Sequence, residues 1–148
     1  MLQTTNTIVP FRNEHPPAFF DVEMKPLTMQ VPFGNGFNYE SIPENMAMAV
    51  VNSETHQALG IHTNSYRLVT HEQVYDAVYK AVEEANISED FEITHGTMRN
   101  GAQYRGEVIF NDLVIEPVVD DIIKYRLRFW NSYDGSLSIG IMCDGLRL

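Results

Sequence analysis

Lys124, Arg126, Arg128 and Trp130 alternate with Tyr125, Leu127 and Phe129 in the run Lys124-Tyr-Arg-Leu-Arg-Phe-Trp130. Successive strand side chains point to opposite faces, so an extended chain puts the three cations and the indole on one surface. Those residue types suit a defined chemistry. Guanidinium and ammonium groups hold phosphates, and an aromatic face stacks a base for about 1–3 kcal/mol. The chain as a whole has a formal charge of −10, with 20 acidic residues against 10 Lys and Arg. A cationic surface therefore stands out here as a candidate for a specific partner.

The surrounding residues predict how this surface is held. Asn131-Ser-Tyr-Asp-Gly135 reads as a turn, and Ser136-Leu-Ser-Ile-Gly-Ile-Met-Cys143 as the returning strand. Alternation turns Leu137, Ile139, Ile141 and Cys143 inward and leaves Ser136, Ser138, Gly140 and Met142 outside. Tyr-Arg recurs at Tyr66-Arg67 and Tyr104-Arg105 as well as Tyr125-Arg126, each time in a predicted strand. Adjacent residues face opposite ways, so the simple arrangement is an inward Tyr beside an outward Arg. The candidate nucleic-acid-binding set is Arg67, Arg105, Lys124, Arg126, Arg128 and Trp130, with Tyr133 as a second stacking ring. The competing arrangement is a solvated sheet face whose cations pair with Glu107, Glu116 or Asp120-Asp121.

Composition sets the limits. At 148 residues, 44% hydrophobic and 20% charged, the chain is of ordinary globular make-up, most simply one domain able to bury a core. Residues 1–94 hold 4 Lys and Arg against 13 Asp and Glu, whereas residues 95–148 hold 6 against 7. The basic residues thus gather where the strands are strongest. The N-terminus lacks a basic start and an apolar run, and no apolar segment approaches the roughly 20 residues that span a bilayer. A cytoplasmic location is expected.

Catalytic and metal chemistry find little support. The one cysteine, Cys143, cannot form an internal disulfide and lies on the apolar side of a strand, where a buried small hydrophobe is expected. His15, His56, His62, His71 and His95 make no metal-ligand spacing. His71, in the first turn of a helix, is expected at the surface. No nucleophile elbow occurs, and Gly34-Asn-Gly36 lacks the Lys and helix of a phosphate loop. A non-enzyme without cofactor or metal is the reading, with acids such as Asp112, Asp120 and Asp121 around a metal as the weakest alternative.

Two regions are legible along the chain. Residues 1–45 hold six of the seven prolines and Phe11, Phe19, Phe20, Phe33, Phe37 and Tyr39. Proline disfavours long helices and central strands, so an extended aromatic arm is predicted, packed on its own domain or on a neighbouring subunit. Residues 46–148 form the domain. Strands are predicted at 46–51, 58–62, 66–69, 91–98, 102–110 and 113–119, besides the hairpin. A helix is predicted over about 70–86, because Thr70 and Gln73 fit a capping box and Val74, Ala77, Val78, Ala81, Val82 and Ala85 form one stripe. The class is α+β, an antiparallel sheet of several hairpins with one main helix on one face. The arm and the open sheet edges predict a homo-oligomer.

Two stretches carry a resemblance. Leu59-Gly-Ile-His-Thr-Asn-Ser-Tyr-Arg-Leu-Val-Thr-His-Glu-Gln-Val74 and Tyr125-Arg-Leu-Arg-Phe-Trp-Asn-Ser-Tyr-Asp-Gly-Ser136 resemble landmarks of a large family of uncharacterised phage- and plasmid-encoded proteins. The likeness spans residues 58–148. In that family a Cys-x-Asn element follows an Arg-containing strand; here Arg147 fits the strand and the chain stops at Leu148, so a shortened piece is expected. The chain is more weakly similar to phage single-stranded DNA-binding proteins that assist a phage RNA polymerase. That similarity implies sequence-independent binding of single-stranded DNA in viral transcription or replication, with the polymerase as a partner. The alternative is an acidic interaction module, an adaptor or inhibitor meeting a basic protein surface.

Overall fold

The computed structural model describes residues 18–148 and, as backbone, residues 8–10. The elements are β1 (Ile8–Pro10), β2 (Val22–Pro26), β3 (Thr28–Phe33), β4 (Gly36–Ser41), β5 (Met48–Asn52), β6 (Ala58–His62), α1 (His71–Ala85), β7 (Phe91–Met98), β8 (Gln103–Ile115), β9 (Ile123–Ser132) and β10 (Gly140–Arg147). They form an α+β fold. The main sheet has the order β1-β7-β8-β9-β10, antiparallel throughout except where β1 runs parallel to β7. A second sheet has the order β2-β5-β6, and β3 and β4 form a ribbon of their own.

Local sequence explains the framework. The Thr70 hydroxyl accepts from the Gln73 amide at 3.1 Å and the Gln73 side chain accepts from the Thr70 amide at 2.8 Å, a reciprocal cap that fixes where α1 starts. Asn86 ends it in the left-handed region at φ 48°. Asn100 and Gly101, at φ 57° and 92°, supply the left-handed geometry that joins β7 to β8.

The helix packs on one face of the main sheet. Val74, Tyr75, Val78 and Val82 meet Phe91, Ile93, Tyr104, Val108, Phe110 and Phe129 in one buried cluster. Each such side chain contributes roughly 1.5–3 kcal/mol on burial. Ala77, Ala81 and Ala85 are exposed, so the buried stripe is turned toward Tyr75 and away from the small residues. A second cluster of Val50, Leu59, Ala102 and Tyr133 joins the small sheet to the far end of β8 and β9, with Phe20, Val22 and Met24 packed against it. Thus Phe20 and β2, from the predicted arm, are built into the domain. Phe11 lies outside the described residues.

Several expectations give way. Residues 66–69 are extended but pair with no strand, because Tyr66 and Leu68 are held by packing against the second cluster. Residues 113–115 continue β8 after a register shift between Ile109 and Val114, and 116–119 leave the sheet. The return strand starts at Gly140, since Asn131 and Ser132 still belong to β9 and the connection is longer. Ile139, Ile141 and Cys143 are exposed, because α1 covers the sheet only as far as β9. Among the described residues no helix is long and apolar enough to cross a membrane.

Candidate nucleic-acid interface

The sheet face opposite α1 carries the predicted cations in a fixed grid. Register places Arg105 beside Trp130 and Trp130 beside Gly140, then Glu107 beside Arg128, then Ile109 beside Arg126 and Arg126 beside Asp144. Directly opposed residues have Cβ atoms about 4.5–5.5 Å apart, so each row forms a contact. Arg105, Gly106, Glu107, Arg126, Arg128 and Trp130 line a cleft of about 400 Å³ on this face, with Leu137 at its border. The expected alternation holds at Leu127, which packs against the core, and at the buried Phe129, with Arg126, Arg128 and Trp130 on the other side, but Tyr125, expected inside, is 43% exposed.

The cations are not equivalent. Arg126 makes a bidentate pair with Asp144, Nε to Oδ1 at 2.8 Å and Nη2 to Oδ2 at 3.2 Å, and reaches Glu107 diagonally at 3.2 Å. The Asp144 bonds, with the nearby Glu107 charge, hold the Arg126 guanidinium above its ordinary pKa, and Arg126 with Arg128 holds the Asp144 carboxyl below the usual carboxylate range. Arg128 also pairs with Asp144 through Nη2, yet its Nε is buried without a hydrogen-bond partner. The Arg105 side chain is exposed and, among the described residues, makes no hydrogen bond or ion pair. Three guanidiniums thus face two carboxylates, which leaves one positive charge uncompensated. Trp130 lies across Gly140, where any Cβ would overlap the indole.

Three predicted site residues fall elsewhere. The register shift in β8 separates Lys124 from the grid, and its Nζ donates to Asn111 Oδ1 at 2.8 Å. Arg67 is exposed on the segment entering α1, away from the cleft lining. Tyr133 cannot stack bases: it is 1% exposed, its hydroxyl accepts from the His71 amide at 2.9 Å, and burial pushes its pKa up to about 12. Leu137, expected inside, borders the cleft instead. Asp144 is not legible from sequence, because the register across the longer connection depends on the fold, and of the expected acid partners only Glu107 pairs with a cation of this face.

The turn after β9 is a structural knot. A Cβ on Gly60 would fall on the Tyr133 carbonyl oxygen, so β6 lies directly against this backbone. His62 Nε2 donates to the same oxygen at 2.6 Å, and the Tyr66 hydroxyl donates to Ser132 O at 3.3 Å. His71, expected at the surface, is 1% exposed between the rings of Tyr104 and Tyr133. Its Nε2 donates to Gly101 O at 2.8 Å and its Nδ1 accepts from Asn131 at 3.2 Å, the pattern of a neutral ring. Burial lowers its pKa to about 4, against the opposing effect of the Gly101 bond. The two sequence landmarks, 59–74 and 125–136, therefore meet here and serve the fold.

Other surfaces are apolar. A groove of about 490 Å³ runs between α1 and the return of β10, lined by Val74, Ala77, Ala81, Ile139 and Ile141. The β3–β4 ribbon exposes Phe33 and Tyr39 by 69% and 71%, with Met29 and Phe37 also outward. Asp112 accepts from Ser88, and Asp121 holds Arg147 through two 2.7 Å bonds. Among the described residues no three His, Cys, Asp or Glu side chains are grouped to hold a metal ion. No family model, curated protein or solved structure matches this chain.

Proposed function

We propose that the protein binds single-stranded DNA on the outer face of the main sheet, without sequence readout. The observation that carries this reading is the cleft that sets the unpaired Arg105 and the half-engaged Arg128 beside Trp130. Phosphate groups meet Arg105 and Arg128, a base stacks on Trp130, and Arg126 acts as a strut held by Asp144 and Glu107. A role in viral transcription or replication, with a phage RNA polymerase as partner, rests on the sequence resemblance. Because Trp130 is the chain's one tryptophan, its fluorescence reports directly on this face. Titration with a short oligothymidylate at low salt should quench it, and no change at protein and oligonucleotide excess would sink the reading. Five phosphate contacts would give a salt slope near 3.5, whereas one uncompensated charge predicts about 0.7.

A second reading is favoured by the β3–β4 ribbon. A two-stranded ribbon is marginal alone in water, and this one shows large apolar side chains on both faces. It suits a protein contact, in the first place with another copy of the chain, which would make the protein a homo-oligomer. Replacing the exposed Phe33 and Tyr39 with Ser should lower the sedimentation coefficient while leaving the core intact; a monomer before and after replacement would refute self-association.

A further inference from the structure

Resting on the strand-binding reading, we infer that the cleft is a discrete site for one nucleotide, so that a free nucleoside monophosphate occupies the same place as a unit of the strand. The grid does not continue into a phosphate track. The β8 register shift takes Lys124 away to Asn111, and Arg67 lies outside the lining. What remains is compact: a cleft of about 400 Å³, within the range of about 300–1,000 Å³ usual for small-ligand sites.

Its contents divide into two stations. The first is cationic. Among the described residues the Arg105 side chain has no hydrogen-bonding or charged partner, and Arg128 is pinned by Asp144 through Nη2 while its Nε lacks an acceptor. The Arg128 side chain is 42% exposed, so an oxyanion in the cleft meets the accessible edge of its guanidinium with a charge-assisted bond, although Nε itself is closed off. The Arg126–Asp144–Glu107 bonds fix the floor, so Arg128 shares the Asp144 carboxylate through Nη2 and cannot take a second bond from it without breaking the bidentate pair to Arg126. The second station is Trp130, bordered by Leu137 and laid flat by the absence of a side chain at Gly140. One phosphate and one ring satisfy both stations. The three guanidiniums against Glu107 and the adjoining Asp144 leave one positive charge, which balances one phosphodiester and part of the roughly −1.5 to −2 charge of a monophosphate.

The test follows Trp130 fluorescence in the full chain with three probes: thymidine, thymidine 5′-monophosphate and a short oligothymidylate. The monophosphate should quench at one site per chain, displace the oligothymidylate, and bind about tenfold or more tightly than thymidine, as expected when charge-assisted bonds are added. Arg105→Ala should remove that advantage with little change in melting temperature, since the exposed Arg105 side chain has no hydrogen bond or ion pair to lose among the described residues. Gly140→Ala should weaken all three probes by displacing the indole. If the oligothymidylate binds and the monophosphate does not displace it, the one-nucleotide site is overturned while strand binding stands. If the monophosphate binds and the oligothymidylate does not, the site stands and strand binding falls. Silence from both overturns both, and full monophosphate affinity in Arg105→Ala overturns the phosphate station.

Discussion

The two halves of β9 use polar residues in opposite ways. At Asn131–Tyr133 the side chains turn inward and are met by partners: Asn131 reaches Val69 O and His71, Ser132 bonds Leu137, and Tyr133 receives the His71 amide. At Arg126–Trp130 they turn outward, and Arg128 Nε and the neighbouring Arg105 stay without acceptors. A satisfied buried network specifies one fold, because every loss leaves an unpaired group. An unsatisfied surface cluster has capacity left for a ligand. The same strand therefore holds the fold at one end and offers chemistry at the other.

The contrast can be broken most forcefully at Gly60. Gly60→Ala drives a methyl group into the Tyr133 carbonyl, and denaturant unfolding should show a loss of about 3 kcal/mol or more. Acid should come next. His71 has a folded pKa of about 4, below its ordinary 6.5, so the unfolded chain binds the proton more readily. Stability is full above pH 6.5 and falls as the pH drops toward 4, by on the order of 3 kcal/mol for that interval. His95, also lowered by burial, acts in the same direction. A melting temperature that stays level between pH 7 and 4.5 would contradict a neutral buried ring. Arg126→Ala should cost less than either, through the bonds lost to Asp144 and Glu107, and should disturb binding as the floor of the cleft loosens. Arg105→Ala should leave unfolding unchanged and affect binding alone. Equal stability losses from Arg105→Ala and Arg126→Ala would erase the distinction between strut and ligand-binding group.

Much of the framework was legible in the sequence because its causes are local. The Thr70–Gln73 cap, the Asn100-Gly101 turn and the alternation of Arg126, Leu127, Arg128 and Phe129 depend on neighbours within a few residues. What stayed hidden depends on register and coverage. Asp144 meets Arg126 only once the connection between β9 and β10 has its observed length, and Lys124 leaves the grid because β8 shifts at Ile109. Tyr133 and His71 looked accessible, as a turn residue and a first-turn residue, until β6 and Tyr104 closed over them. The cleft was half visible: its cations were named, but which of them already have partners is a property of the fold.

The strand order also has a colloidal consequence. Among the described residues β10 has no neighbour on its outer side, so a row of backbone donors and acceptors is left open. Ile139 just before it and Ile141 within it stand exposed, a pattern that invites strands of other chains to add and fibres to grow. Asp144 and Arg147 are the charges within that edge, each already paired inside the chain, Asp144 to Arg126 and Arg128 and Arg147 to Asp121. Breaking either pair would leave a charge of one sign along the edge, while replacing the pairs with apolar residues would leave the strand open to stacking.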